Sequence, residues 1–180
     1  MKDDPGFAPE TGAQVCEGFI RVRFHEVDAL GHVNNAAYLN YLEQAAIDHA
    51  MLLGLDLETL RRLGGVFVAR RHELVFLRPA YAGDVLRIVT WLGEPRGARV
   101  ERRYLVFRED SAGLSAAMGA CLVAADQVAL AGDRIIQATT EWVFATEQGQ
   151  PRRIPREVMA AFHSDEGQRR SAERNSEGYG

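Results

Sequence analysis

The sequence predicts an α+β fold in which a curved antiparallel sheet wraps around one long helix. Three observations predict it. A short alternating strand stands near the start, a single long apolar helix follows it, and four strand-like runs then come with no second long helix between them. That order excludes an alternating βαβ architecture. The apolar face of such a sheet has to cover something, and the only long apolar helix is 35–53.

Residues 1–16 are acidic, contain two prolines (Pro5 and Pro9), and read as a flexible arm. Glu17–His25 alternates apolar and polar from Phe19 and reads as a strand. A turn-like segment, EVDALGHVNN, leads into AAYLNYLEQAAIDHAMLLGL, where Glu43, Asp48 and His49 are the only acidic or basic residues before Gly54. This run is rich in helix formers and free of proline. It ends at a glycine suited to the left-handed position just past a helix, and Asn34 or Asn35 can cap its start. So sparse a polar face predicts a helix nearly surrounded by protein. Residues 66–78, 84–94, 98–109 and 134–146 are rich in β-branched and aromatic residues and read as strands. Segment 110–133 is dominated by small residues without a clear period, which fits a hairpin extension, a short helix or a mobile loop equally. One domain over 17–162 results. Beyond Phe162 almost no apolar residue remains, so 163–180 reads as a disordered tail.

The chain's 180 residues suit one domain, and with 47% apolar and 26% charged residues it has a soluble globular composition. The first fifteen residues have neither the basic start nor the apolar run of a secretory signal. No stretch approaches the roughly 18 apolar residues of a membrane span. Cys16 and Cys121 form no CxxC pair and read as inert thiols in a reduced, cytoplasmic protein. A net charge of −4 argues against nucleic acid as the main partner.

The chemistry concentrates in Phe24–Asn35 and the first turns of the helix. Asp28 precedes the helix start by seven residues, with Gly31 between them to let the chain turn back. The first peptide N–H groups of a helix lack internal partners and carry a partial positive charge of about half a unit. Such a terminus can hold a carbonyl oxygen as it becomes an oxyanion, and one such donor is worth roughly 3 kcal/mol in a transition state. A carboxylate beside it can attack the carbonyl or take a proton from water. Thioesters are activated enough to need no metal. His25, Asp28 and His32 share no helical face and lack an evident fourth ligand, so they do not read as a metal site.

The stretch VDALGHVNNAAYLNYLEQA resembles the signature of the 4-hydroxybenzoyl-CoA thioesterase-like group of hotdog proteins. Asp28, Gly31, His32, Val33, Asn34, Asn35, Tyr38, Tyr41 and Glu43 fall on its pattern, and FLRPAYAGDVLRIVTW and TTEWVFA also resemble the group. The motif is specific for the family and much less so for a substrate. The resemblance implies a hotdog fold and hydrolysis of acyl-CoA or acyl-carrier-protein thioesters. Asp28 would be nucleophile or general base, with the backbone N–H at Asn35 polarising the carbonyl. His32 would join them as a catalytic candidate that also shapes the pocket, and Gly31, Val33, Asn34 and Tyr38 would meet substrate. It further implies no cofactor beyond the substrate's own coenzyme A, and a homodimer or homotetramer with sheets joined edge to edge and the site between subunits. Segment 110–133 departs from the group in being longer than its usual hairpin.

Other residues weigh less. Glu43 lies about 12 Å along the axis from Asn35, too far to share one carbonyl with the helix tip. Ser115 in GLSAA only loosely echoes a nucleophile elbow, because the strand-then-helix context and the second glycine are missing. The arginines at 61, 62, 70, 71, 102 and 103 are candidates for a clamp on the coenzyme's phosphates. Two rival functions use the same residues. One is enoyl-thioester hydration or dehydration, which needs a close Asp28–His32 pair. The other is non-catalytic binding of an acyl thioester.

Overall fold

The structure is a computed structural model that describes residues 7–110 and 119–163. Six strands form one curved antiparallel sheet: β1 (Gln14–Arg21), β2 (Val66–Phe76), β3 (Val85–Leu92), β4 (Arg99–Glu109), β5 (Ala120–Ala124) and β6 (Asp133–Ala145). Their order across the sheet is β2-β6-β4-β3-β1-β5. Three helices complete it: α1 (Asn35–Leu52), α2 (Leu57–Arg62) and α3 (Arg156–Ala161). The predicted sheet around one long helix is the observed architecture.

Strand parity decides what faces α1. Leu86 and Ile88 of β3, Tyr104 and Val106 of β4 and Ile20 of β1 point to the same side and meet Tyr38, Tyr41, Leu42 and Ala45 of the helix. The opposite parity forms a second layer, where Val15, Val89, Trp91, Leu105 and Phe107 lie under Phe7 and residues 125–130. Both faces of β3 are therefore covered, and all eight of its residues are buried. A third cluster joins Leu92, Val100 and Phe144 to α3 and Phe162 at the far end of α1.

Expectations need correction at the first strand and at α1. The first strand starts at Gln14, and Phe7 already packs edge-on against Trp91, so the arm is shorter than 1–16. The strand also stops at Arg21, and Phe24–Glu26 forms a single 3-10 turn. Within 110–133, left open between hairpin extension, short helix and loop, a sixth strand forms, Ala120–Ala124, paired with β1; residues 111–118, including Ser115, fall outside the described part, as do 1–6 and 164–180. Finally, α1 is buried on one side only. Leu39, Ile47 and Met51 are exposed, so a single chain leaves an apolar strip of this helix uncovered.

Candidate active site

The approach to α1 is built by a short ladder. Val27 bridges Val33, and the Asp28 N–H donates to the His32 carbonyl at 2.8 Å, so residues 28–32 form a tight loop. Gly31 closes it at φ +78°, a left-handed conformation that a side chain resists. The loop holds the Asp28 carboxylate in place: its Oδ1 accepts from the Leu30 N–H at 2.8 Å and from the His32 N–H at 3.4 Å. Asp28 itself is exposed to solvent.

Asn34 caps the helix, its side chain accepting from the Ala36 N–H at 2.9 Å. The Val33 N–H donates to the Ala80 carbonyl and the Asn34 N–H to the Glu26 carbonyl, which locks the entry. That leaves the Asn35 N–H, the first of the helix, with no acceptor among the described residues. It is an unspent donor at the positive end of the helix dipole. At the other end Gly54 sits just past the helix at φ +73°, as its position in the sequence predicts.

Around this tip the predicted residues separate into three groups. Asp28, Gly31, Asn34 and Asn35 are exposed. His32 is half-buried, its ring edge-on to Tyr81 at 5.3 Å, and its hydrogen bonds with Asp28 run through its backbone N–H and carbonyl, not its ring. Val33 and Tyr38 lie in the core, at 3% and 2% exposure. Burial pushes the Tyr38 hydroxyl up to about 12. A cavity of about 510 Å³ does open beside the tip, but its walls include Arg23, His25, Glu26, Asn34, Asn40 and Tyr41. Glu26 had no role in the sequence reading. It accepts from the Arg23 N–H at 2.6 Å and faces Tyr41, whose hydroxyl is driven up first of all by burial. Glu43 is exposed on the helix surface away from the tip.

The candidate phosphate clamps are mostly engaged. Arg61 pairs with Glu147, Arg70 with Glu141, Arg71 with Glu73 and Arg103 with Glu101, while Arg62 donates to Thr59. Arg102 is no surface arginine at all: it is 4% exposed, on the helix side of β4. Among the described residues no group of three or more His, Cys, Asp or Glu side chains is arranged to hold a metal.

The Asp28 loop therefore leads directly into the electropositive tip of a helix on which the sheet is wrapped. The chain belongs to the thioesterase-like superfamily, which it matches over residues 22–162. It is 29% identical over 103 residues to a putative esterase of Aquifex aeolicus, covering 57% of this chain and 80% of that one. It is 26% identical over 89 residues to a chloroplastic acyl-acyl carrier protein thioesterase of Arabidopsis thaliana, covering 49% of this chain. The match spans less than half of that Arabidopsis protein, 47%. Among solved structures, a 4-hydroxybenzoyl-CoA thioesterase mutant bound to 4-hydroxybenzoyl-CoA superposes with a TM-score of 0.66 at 20% identity, covering 82% of this chain and 98% of that one. Likeness at that identity establishes the hotdog fold.

Proposed function

We propose that this protein hydrolyses acyl thioesters of coenzyme A or acyl carrier protein to a free acid and a thiol. The observation that carries the reading is the unspent Asn35 N–H at the tip of α1, with the exposed Asp28 carboxylate anchored on the loop that leads into it. The thioester carbonyl oxygen accepts from the Asn35 N–H, and the helix end stabilises the negative charge as the carbon becomes tetrahedral. Asp28 supplies the other half. It either attacks the carbonyl carbon, giving an anhydride that water cleaves, or takes the proton from the attacking water. In both cases the C–S bond breaks and the thiolate leaves with a proton from solvent. The names of the relatives, which include acyl-carrier-protein and CoA thioesterases, support the substrate class.

Hydration of an enoyl thioester is less well supported. It needs the His32 imidazole paired with Asp28, and the ring instead meets Tyr81 edge-on. Assembly is also part of the proposal. The edge strand β2 is eleven residues long and its outer edge has no partner strand among the described residues. A second copy joined along β2 pairs that edge and brings two sites together, and sedimentation or light scattering tests it. No described helix is long and apolar enough to cross a membrane. The two unpaired cysteines suit a reducing compartment such as the cytoplasm.

The test is thiol release from benzoyl-, short- and long-chain acyl-CoA by the wild-type protein and by Asp28→Asn. The expected loss in kcat/KM is about 10²–10⁴-fold, the range for a positioned acid or base. Full activity in Asp28→Asn removes Asp28 from the chemistry. Hydration of crotonyl-CoA without thiol release replaces the hydrolase reading with the hydratase one.

A further inference from the structure

The far end of α1 carries a second site of different character. A cavity of about 510 Å³ lies between the C-terminal half of α1, α2 and the sheet, with Ala46, Ile47, Met51, Leu60, Phe67 and Trp142 among its walls. From Asn35 to Ala46–Ala50 the helix advances about 16–22 Å, so this cavity is separate from the helix tip of its own chain. Its walls are almost wholly apolar, with two charged exceptions. Asp56 is exposed and already caps α2 through the Thr59 N–H at 2.7 Å. Arg102 is the other, and it is a buried side chain that meets the cavity from the sheet.

Arg102 is a cation without an anion. Its hydrogen bonds among the described residues both use Nη1, one to His49 Nδ1 at 3.0 Å and one to Thr90 Oγ1 at 3.3 Å. Phe162 lies under the guanidinium at 5.6 Å. No carboxylate pairs with it among the described residues, and Nε and Nη2 donate to nothing there. A neutral side chain would spare the protein the desolvation of a buried guanidinium, so an unpaired one at the wall of an apolar cavity points to an anion that completes it. The free edge formed by Nε and Nη2 matches a carboxylate, which it can hold by two parallel hydrogen bonds. The remaining wall matches an alkyl chain, and the volume falls in the range of small-molecule sites.

We infer that this cavity binds a free fatty acid, with the carboxylate on Arg102 and the hydrocarbon chain along Ala46, Ile47 and Met51 towards the cavity mouth. Binding here needs no chemistry at Asp28. It gives the protein a sensor or store for an acid of the kind that the proposed reaction releases, and it stands if the hydrolase reading falls.

Calorimetric titration of the full chain with decanoate, myristate and palmitate, each against its matched primary alcohol, tests the inference. The acids are expected to bind about tenfold or more tightly than the alcohols, the difference a charge-assisted pair makes. Arg102→Met removes that preference while apolar binding remains, and Asp28→Asn leaves it intact. Ile47→Glu, at a half-exposed position of the cavity wall, weakens acid binding about tenfold and keeps the test open if Arg102→Met does not fold. Equal binding of acid and alcohol, an undiminished preference in Arg102→Met, or no binding of any acid overturns the inference.

Discussion

The two ends of α1 solve opposite problems with the same helix. At its start the backbone is the working group. One N–H is left unspent, the surroundings are polar and open to water, and the residues that matter most are exposed. At its end the side chains are the working groups. His49 and Arg102 are buried against Phe162, the cavity is apolar, and the backbone is closed off by the turn at Gly54. Placing charge at the open end costs little, because water and the helix dipole support it. Placing it at the closed end is expensive, and the structure keeps the imidazole there neutral. Arg102 donates to Nδ1, so the single ring proton sits on Nε2, which has no acceptor among the described residues.

That contrast can be broken in several ways. The largest expected effect on stability is at the closed end. Phe162→Ala removes the ring packed on both His49 and Arg102 and should lower stability by about 3–5 kcal/mol, read from denaturant unfolding. Loss of under 1 kcal/mol would mean that this end is looser than its burial indicates.

Acid acts there too. Burial first, and the neighbouring Arg102 charge second, hold His49 down at about 2, far below its ordinary value of 6.5. The folded protein therefore refuses a proton that the unfolded chain accepts. The contribution is fully present above pH 6.5 and is lost progressively as pH falls from there towards 2, by up to about 1.4 kcal/mol per pH unit. His49→Gln should flatten the decline between pH 6.5 and 5, and an unchanged slope would place the acid sensitivity elsewhere.

At the open end the changes are smaller. Asn34→Ala deletes the cap on the Ala36 N–H and should cost about 1 kcal/mol in the same unfolding measurement. The smallest effect belongs to Arg102→Met. Relief of a buried guanidinium without a counter-charge offsets the loss of its hydrogen bonds to His49 and Thr90, so the melting temperature should change little, whereas a fall of many degrees would reveal an anionic partner for it.

What was legible in the sequence follows the same division. Backbone features announce themselves locally. Gly31 and Gly54 stand where the chain needs a positive φ, Asn34 stands where a cap is needed, and the helix and four long strands follow from their apolar periods. Side-chain burial is set by tertiary partners, and there the reading failed. Arg102 lies beside Arg103 in a charged stretch and reads as surface. Yet it shares strand parity with Val100, Tyr104 and Val106, and that alternation was the available signal that it faces the helix. Val33 and Tyr38 sit inside the recognised motif, yet the core takes them, since a motif marks a site without saying which members carry it and which prop it up. Strand β5 could not be read, because Ala120–Ala124 gains its strand character from pairing with β1 rather than from its own small residues. Glu26 was passed over because only the folded 3-10 turn brings it beside Tyr41.

The central claim is that an unspent backbone donor at the tip of α1 acts on the substrate carbonyl, and proline can remove that donor without unmaking the helix. Position 35 is the first residue of α1, where proline is well tolerated, and Asn34 already holds the extended φ −58°, ψ 135° that a following proline requires. Asn35→Pro should therefore fold with an unchanged melting temperature while thiol release falls about 10²–10³-fold, the cost of one lost oxyanion donor. A folded Asn35→Pro protein that hydrolyses acyl-CoA at the wild-type rate would contradict the account.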